Sequence, residues 1–168
     1  GDVNFLSARL KDTPEGNVDA MLAFYDRFLS LRSINVPVIA ALNGHAIGAG
    51  FCVALACDMR VAAAEAKLAV NFCRLGIHPG MGATYSLPRL VGHAAASRLL
   101  LTGDTISSAE ALRLGIVCDV KPAAEVLDTV MAYATSVATA SHVAVKETVT
   151  TLRGDPNALK AALLREAQ

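Results

Sequence analysis

The segment Gly48-Ala49-Gly50 has the residue types and spacing needed to hold an oxyanion with backbone groups. Two glycines around a small alanine let backbone N–H groups approach a ligand without interference from side chains. An apolar helix is predicted to start there, and the first N–H groups of a helix lack intrahelical acceptors and carry partial positive charge. The alternative is a tight strand-to-helix connection that binds nothing, because glycines occur in turns of every kind.

Two flanking elements must position this turn. Residues 38–42 form a short apolar run with β-branched members between Pro37 and Asn43-Gly44, which predicts a buried strand. Residues 49–57 carry no charge before Asp58, so the predicted helix is buried on nearly all sides.

The rest of the chain predicts short strands followed by helices. Residues 17–32 carry apolar side chains at helical spacing and predict an amphipathic helix capped by Asn17. Ser107 and Glu110 have the spacing of a capping box at the start of another helix. Further strands are predicted at 59–63 and 68–70, and further helices at 93–101, 107–114, 124–138, 141–152 and 157–166. Strands alternating with helices before a helical tail favour an α/β fold.

Composition and charge argue against several classes of protein. The 168 residues include 15 basic and 15 acidic side chains, so no strong field attracts nucleic acid or an anionic membrane. Residues 33–57 are uncharged, but Pro37 and the polar Asn43-Gly44-His45 interrupt them, which argues against a membrane span. The four cysteines, at positions 52, 57, 73 and 118, lack zinc-type spacing, and we interpret them as buried free thiols with no metal site. No targeting segment is predicted in the sequence.

Three successive motifs resemble the signatures of the crotonase family, the enoyl-CoA hydratases and isomerases. The first is PVIAALNGHAIGAG at residues 37–50 with Cys57-Asp58 after it, and the second is LGIHPGMGAT at 75–84 with LPRLVG at 87–92. The third starts with LTGD at 101–104. The resemblance covers nearly all of the chain, which by comparison with the family is expected to be cut at both ends.

The resemblance implies an architecture and a substrate class. It implies an α/β spiral of repeated ββα units over residues 1–122, with N-terminal strands missing, and an incomplete helical oligomerisation segment over 123–168. It implies an acyl-CoA thioester as substrate, no cofactor beyond the coenzyme A that the substrate carries, and a homotrimer or hexamer. The location implied is the cytoplasm or the mitochondrial matrix.

The resemblance also assigns roles by position. The backbone N–H groups of Ala49 and Gly1 would grip the thioester carbonyl and stabilise the enolate formed next to it. A donor of this kind typically contributes about 10²–10³ in rate. Asp58 matches an acid that pairs or caps rather than catalyses. The substrate-binding set implied is Gly48, Gly50, Cys52, Asn71, Phe72 and Gly80.

The acid/base pair of the family is missing from this sequence. Hydratases of the family use two glutamates to handle water, and the matching positions here hold Cys52 and Phe72. Activating water and protonating the substrate carbon need positioned acid and base groups. Neither a thiol with an ordinary pKa of about 8.5 nor a phenyl ring substitutes easily for them. We therefore predict that hydration is very slow.

Four weaker candidates lie at or near these positions. His78 precedes the Pro-Gly pair beside the loop that lines the acyl pocket in relatives, and it could titrate near neutral pH or simply bond to backbone. Asn71 and Cys73 flank Phe72 and could reach the pocket or pack in a strand. Cys52 could be a nucleophile or an inert buried thiol.

Three hypotheses about function stay open. The first is an enzyme that uses the oxyanion hole without the glutamate pair, such as a decarboxylase-like or thioester-hydrolysing enzyme, or an isomerase whose base lies elsewhere. The second is a conventional hydratase or isomerase. The third is a catalytically silent member that binds acyl-CoA or contributes only to an oligomer.

Overall fold

The computed structural model describes residues 12–168, which form short strands followed by a helical second half. The helices are α1 (Pro14–Leu29), α2 (Ala49–Ala56), α3 (Ala83–Thr102), α4 (Ser108–Arg113), α5 (Val126–Ala138), α6 (His142–Arg153) and α7 (Pro156–Glu166). The strands are β1 (Ile39–Leu42), β2 (Ala46–Ile47), β3 (Met59–Ala63), β4 (Lys67–Ala69), β5 (Ile106–Ser107) and β6 (Asp119–Lys121). Short 3₁₀ turns lie at Ser30–Ser33, Phe72–Leu75 and Ala123–Glu125.

Two small sheets position the candidate site. The first has the order β1-β3-β6 with both pairs parallel, and Ile39 lies opposite Met59. Val61, Ala62 and Ala63 of the central strand are completely buried, as expected for a parallel strand covered on both faces. The second has the order β2-β4-β5, in which β2 and β4 are parallel and β4 and β5 antiparallel.

The hydrophobic core lies between the sheets and the helices α2 and α3. Phe51, Leu68 and Leu87 are among its largest fully buried side chains. Helix α5 packs against β1, β3 and β6, and helix α7 packs against α1 and α3. The α/β class expected from the sequence is confirmed. The division of the chain at residue 122 stays a prediction.

Several predicted boundaries are correct, one is wrong, and one helical segment was not predicted. Strand β3 has the predicted bounds, and α5 and α6 begin within two residues of theirs. Helix α1 starts at Pro14 rather than residue 17, because proline fits the first helical turn and the Thr13 side chain accepts the Gly16 N–H. The helix predicted over residues 93–101 does follow Gly92, whose φ of 75° and ψ of 164° are not helical and divide α3 at a kink, but the first part of α3, which begins at Ala83, was not predicted.

Two side-chain predictions also need correction. Only half of the predicted capping box forms: Ser107 accepts the Glu110 N–H, but the Glu110 carboxylate pairs with Arg98 and Arg113. The four cysteines are free as expected, but their predicted burial holds for one alone. Cys52 is buried, Cys57 is half-buried, and the remaining two, Cys73 and Cys118, are exposed.

Residues 12–168 contain neither a candidate membrane span nor a candidate metal site. None of their helices combines the length and the apolar character needed to cross a bilayer. Their His, Cys, Asp and Glu side chains form no group of three or more that could hold a metal ion.

Candidate active site

The turn at Gly48 connects β2 to α2 and is fixed by both neighbours. Ile47 pairs with Ala69 of β4, and the Gly48 N–H extends this pairing by donating to the Ala69 carbonyl at 2.9 Å. Gly48 has φ 57° and ψ −124°, in a region that strongly favours glycine because it has no Cβ. The glycine therefore lets the chain leave the strand and enter the helix at once.

The first turn of α2 leaves a backbone donor available. The Gly48 carbonyl accepts the Cys52 N–H at 3.0 Å, which is the first bond of the helix. The N–H of Ala49, at the start of the same turn, has no acceptor among residues 12–168. A Cβ built on Gly50 would meet no atom of residues 12–168 within 4 Å, so the described part of the chain leaves space for a ligand here. The role of Ala49 as an oxyanion donor stays a prediction.

Asn71 and Phe72 form a wall beside the turn. A Cβ built on Gly48 would lie 3.3 Å from Asn71 Oδ1 and 3.9 Å from Phe72 Cζ. The structure therefore brings together three of the predicted substrate-binding residues. Asn71 does not pack in a strand, because β4 ends at Ala69 and Asn71 precedes the 3₁₀ turn Phe72–Leu75.

Gly103 packs closely against Asn71 and Arg74. A Cβ built on Gly103 would lie 3.2 Å from the Asn71 Cα and 3.0 Å from Arg74 Cγ. Arg74 Nε donates to the Thr102 carbonyl at 2.7 Å, and its guanidinium pairs with Asp104. The Thr-Gly-Asp part of the third motif thus holds the 3₁₀ turn in place. Sequence reasoning found the motif but not this contact.

Cys52 lies one helical turn after Ala49 and is only 1% exposed. Burial, followed by the negative charge of Glu166, raises the pKa of its thiol to about 12. The thiol therefore stays protonated at neutral pH. Since the thiolate is the reactive form of cysteine, this geometry favours the inert thiol over the nucleophile.

Gly80 is buried against Tyr25 of α1. A Cβ built on Gly80 would lie 2.5 Å from the Tyr25 hydroxyl oxygen. Tyr25 is 2% exposed, and its hydroxyl donates to the Glu166 carbonyl at 3.3 Å. Burial raises the pKa of Tyr25, with a further contribution from the charge of Glu166. Packing against Tyr25 is therefore sufficient to require glycine at position 80.

The side chain of Glu166 caps helix α3 from the far end of the chain. One carboxylate oxygen accepts the Gly82 N–H at 2.6 Å, and the other accepts the Thr84 N–H at 3.0 Å and the Thr84 hydroxyl. Sequence reasoning missed both Tyr25 and Glu166. Nothing in their local sequence marks them, because each partner lies far away along the chain.

The remaining candidates lie apart from this cluster or outside the described residues. His78 is exposed, and its Nδ1 donates to the Pro79 carbonyl at 2.7 Å, which is the backbone-bonded alternative given above. Asp58 pairs with Arg153 and accepts the Val38 N–H, in agreement with a structural role. Gly1, the other predicted donor, lies outside the described residues.

Two cavities lie elsewhere in the described part of the chain. One, of about 580 Å³, lies near the C-terminal end of α2 and is lined by arginines. The other, of about 390 Å³, lies between the start of β1 and the helices α5 and α6 and is mostly apolar. Neither is lined by Ala49 or Phe72. The open helix start is thus a surface feature rather than one of these two enclosed spaces.

Comparison with known proteins gives consistent matches. The family described as Enoyl-CoA hydratase/isomerase matches residues 6–166. The 2,3-dehydroadipyl-CoA hydratase of Escherichia coli K12 is 39% identical over 139 residues, which are 82% of this chain and 54% of that protein. The (E)-benzylidenesuccinyl-CoA hydratase of Thauera aromatica is 41% identical over 112 residues, which are 67% of this chain and 44% of that protein.

Solved structures give the same result. The crystal structure of a probable enoyl-CoA hydratase/isomerase from Mycobacterium abscessus superposes with a TM-score of 0.80 at 34% identity. The superposition covers 93% of this chain and 59% of that one. The chain spans about half the length of the curated relatives it matches, with shares of 44% and 54% for the two named above.

Proposed function

This chain belongs to the enoyl-CoA hydratase/isomerase family, also called the crotonase family, and from that premise we propose that it binds an acyl-CoA thioester at the start of α2. The thioester carbonyl would accept the Ala49 N–H, and the enolate formed next to that carbonyl would be stabilised there. Coenzyme A enters as part of the substrate, and no further cofactor is proposed.

The observation that carries this proposal is the available N–H of Ala49. It lies at the positive end of the α2 dipole, beside a glycine that cannot obstruct a ligand. A donor fixed in advance costs no reorganisation when negative charge develops on the oxygen, so it stabilises the enolate more than the ground-state carbonyl. Gly1 would supply the second donor, as the family resemblance implies.

We also propose that the protein is a poor hydratase, although the two curated relatives named above are hydratases. Cys52 is a protonated thiol at neutral pH and Phe72 has no titratable group, so neither glutamate function is replaced at its own position. An enzyme that stabilises an enolate but lacks the glutamate pair is suited to decarboxylation. When the bond between the α-carbon and the carboxylate breaks, CO2 leaves and the enolate is produced directly. Thioester hydrolysis, or isomerisation with a base elsewhere, needs the same oxyanion hole.

The alternative function is a catalytically silent protein that binds acyl-CoA. The environments of two candidate acid/base groups favour this alternative. Cys52 is buried, and His78 is hydrogen-bonded to the backbone of its own loop. Incubating the protein with a panel of CoA thioesters, including malonyl-type thioesters, and following them by mass spectrometry separates the two functions. A silent binder retains thioesters without releasing any product.

The binding site itself is tested by Ala49→Pro, which removes the N–H at a helix position that tolerates proline. We expect affinity for an acyl-CoA enolate analogue to fall by about 10²-fold, with little change for free CoA. Ala49→Gly is the matched control, because it keeps the N–H and should bind the analogue as before. Equal losses for the analogue and for free CoA would refute the assignment.

The proposal of slow hydration is tested by introducing glutamate at both missing positions. We expect crotonyl-CoA hydration to be undetectable in the unmodified protein and to appear when Cys52→Glu and Phe72→Glu are combined. The pair Cys52→Gln with Phe72→Gln is the control, since it has similar volume and no carboxylate. An unmodified protein that turns over at roughly 1–10³ per second would show that the argument is wrong.

We further propose that the protein assembles as a homotrimer or a dimer of trimers through its C-terminal helices. Large apolar side chains stay exposed on α5 and α6, including Leu127 at 62%, Met131 at 56%, Val143 at 68% and Leu152 at 73%. Apolar patches on helices commonly mark such contacts. Light scattering at micromolar concentration tests the assembly, and a monomer would contradict it.

A further inference from the structure

The cavity of about 580 Å³ lies at the opposite end of α2 from Ala49 and has a strongly positive lining. We call it the arginine cavity. Within residues 12–168 its charged lining consists of four arginines and one aspartate, Arg32, Arg60, Arg89, Arg153 and Asp58, with a formal sum of +3. The whole chain has a formal net charge of +0, so this concentration of positive charge is local.

Two of the four arginines are fixed by hydrogen bonds. Arg153 pairs with Asp58 through Nε and Nη2, and its Nη1 donates to the carbonyls of Arg32 and Ile34. Arg60 is 4% exposed and donates through Nε and Nη1 to the carbonyls of Ile116, Ala54 and Cys57. Its Nη2 has no acceptor among residues 12–168, although the side chain is almost completely buried.

The other two arginines lack an acidic partner in the described part of the chain. Arg32 is half-buried and donates through Nη2 to the Arg153 carbonyl. Arg89 is exposed, and its guanidinium lies 5.0 Å from the centre of the Tyr85 ring. Burial and, next, the charge of Arg153 lower the pKa of Arg32, as expected where cations crowd together. Several guanidinium donors thus surround one cavity with a single carboxylate to neutralise them.

We propose that the arginine cavity binds a small multivalent oxyanion, an organic phosphate or polycarboxylate. Guanidinium groups bind the oxygens of phosphate and carboxylate through paired hydrogen bonds, and such charge-assisted bonds are the strong ones. A multivalent anion matches the formal charge of +3 better than a monovalent one. The cavity also has apolar walls, formed by Leu55, Leu90, Leu152 and the Tyr85 ring. Its volume falls within the usual range for small-molecule sites.

The cavity lies away from the proposed position of the thioester carbonyl. The eight residues of α2 span about 12 Å, with Ala49 at one end and Leu55 near the other. The proposal therefore does not depend on the thioester assignment. Both sites can be tested in the same protein with different ligands.

Calorimetric titration of the full chain with inorganic pyrophosphate and with citrate, at constant ionic strength, tests the proposal. We expect at least one probe to bind, and Arg89→Gln to weaken it by about tenfold through loss of a charge-assisted contact. Arg89 is exposed and holds no ion pair in the described residues, so this variant should fold normally. Arg27→Gln is the matched control, since Arg27 is also exposed and does not line the cavity.

The two probes identify the chemistry, because preference for pyrophosphate indicates a phosphate ligand and preference for citrate a polycarboxylate. Either preference supports the proposal if Arg89→Gln weakens binding and Arg27→Gln does not. Equal affinity in all three proteins, or no binding of either probe at millimolar concentration, would overturn it. Loss of probe binding in the presence of saturating CoA would also overturn it, because the cavity would then be part of the thioester site.

Discussion

The carboxylate of Glu166 accepts a 2.6 Å hydrogen bond from the backbone N–H of Gly82, which lies 84 positions earlier in the chain. The same side chain accepts two further bonds from Thr84. Helix α3 is therefore capped by a residue of α7, rather than by a polar side chain of its own segment. The loop that contains Gly80 is fixed to the C-terminal helix by this contact.

We expect Glu166→Gln to lower the free energy of unfolding by about 2–3 kcal/mol, because the amide replaces one acceptor oxygen with a donor and removes the charge. Urea denaturation of both proteins measures the difference. Glu147→Gln is the control, since Glu147 is exposed and should change stability by less than about 0.5 kcal/mol. Equal stabilities for Glu166→Gln and the unmodified protein would show that the cap contributes nothing.

The pair formed by Asp58 and Arg153 should make stability depend on pH. Burial alone would raise the pKa of Asp58, but hydrogen bonds from Arg153 and the Val38 N–H outweigh it and hold the pKa below its usual value. The folded state thus favours the ionised form. The stability that ionised Asp58 contributes is fully present above the pKa that its carboxyl has in the unfolded chain. It is lost as the pH falls through the lower pKa that this carboxyl has in the folded state.

Asp58→Asn should therefore cost about 2–4 kcal/mol at pH 7, and the difference from the unmodified protein should shrink below about pH 4. Urea denaturation at several pH values measures both effects. Asp19→Asn, at an exposed position, should show neither effect. A difference that stays constant down to pH 2.5 would contradict the ion-pair explanation.

The contact between Gly80 and Tyr25 predicts a coupled pair of substitutions. Gly80→Ala places a Cβ where the Tyr25 hydroxyl oxygen is 2.5 Å away, so we expect a loss of about 1–3 kcal/mol. Tyr25→Phe removes that oxygen, so the double variant should recover part of the loss. A double-mutant cycle from urea denaturation measures the coupling, and strictly additive effects would contradict it.

The control for this pair is Gly44→Ala, because a Cβ on Gly44 would meet no atom of the described residues within 4 Å. Gly44 also lacks the positive φ that alanine disfavours. We expect its stability to change by less than about 0.5 kcal/mol.

The cysteines should differ widely in reactivity. Brief alkylation with iodoacetamide at pH 8, followed by peptide mapping, should label the exposed Cys73 and Cys118 first. Cys52 should stay unlabelled because burial raises its pKa to about 12, and because the reagent cannot reach it. All four should react in concentrated urea. Labelling of Cys52 as fast as Cys73 in the native protein would refute the buried inert thiol.

Local sequence was sufficient to predict the turn that organises the candidate site. The glycines at 48 and 50 and the uncharged segment that follows specify a strand, a tight turn and a buried helix, and these signals act over a few residues. Strand β3 was predicted with its observed bounds because Met59–Ala63 follows a helix end and is apolar except for Arg60. The family motifs then indicated the fold class.

Features that depend on distant contacts could not be predicted. The start of α3 lacks a side-chain cap in its own segment, because Gly82 occupies the cap position and Glu166 supplies the acceptor. The burial of a cysteine depends on which face of its helix or turn contacts the core, and local sequence does not show this. The exposed Cys73 in a 3₁₀ turn and the buried Cys52 in α2 therefore could not be distinguished from sequence. Arg32 and Arg89 are far apart in the chain and meet only in the folded protein.

The backbone groups at the two ends of helix α2 differ in their hydrogen bonding. Arg60 binds the carbonyls of Ala54 and Cys57 at one end, whereas the Ala49 N–H at the other end has no acceptor in the described residues. The negative end of the backbone dipole is thus neutralised within the fold, whereas the positive end keeps a donor without an acceptor among residues 12–168. The two ends of this helix therefore attract anions by different means: backbone N–H groups act at the Ala49 end, whereas arginine side chains act at the other end.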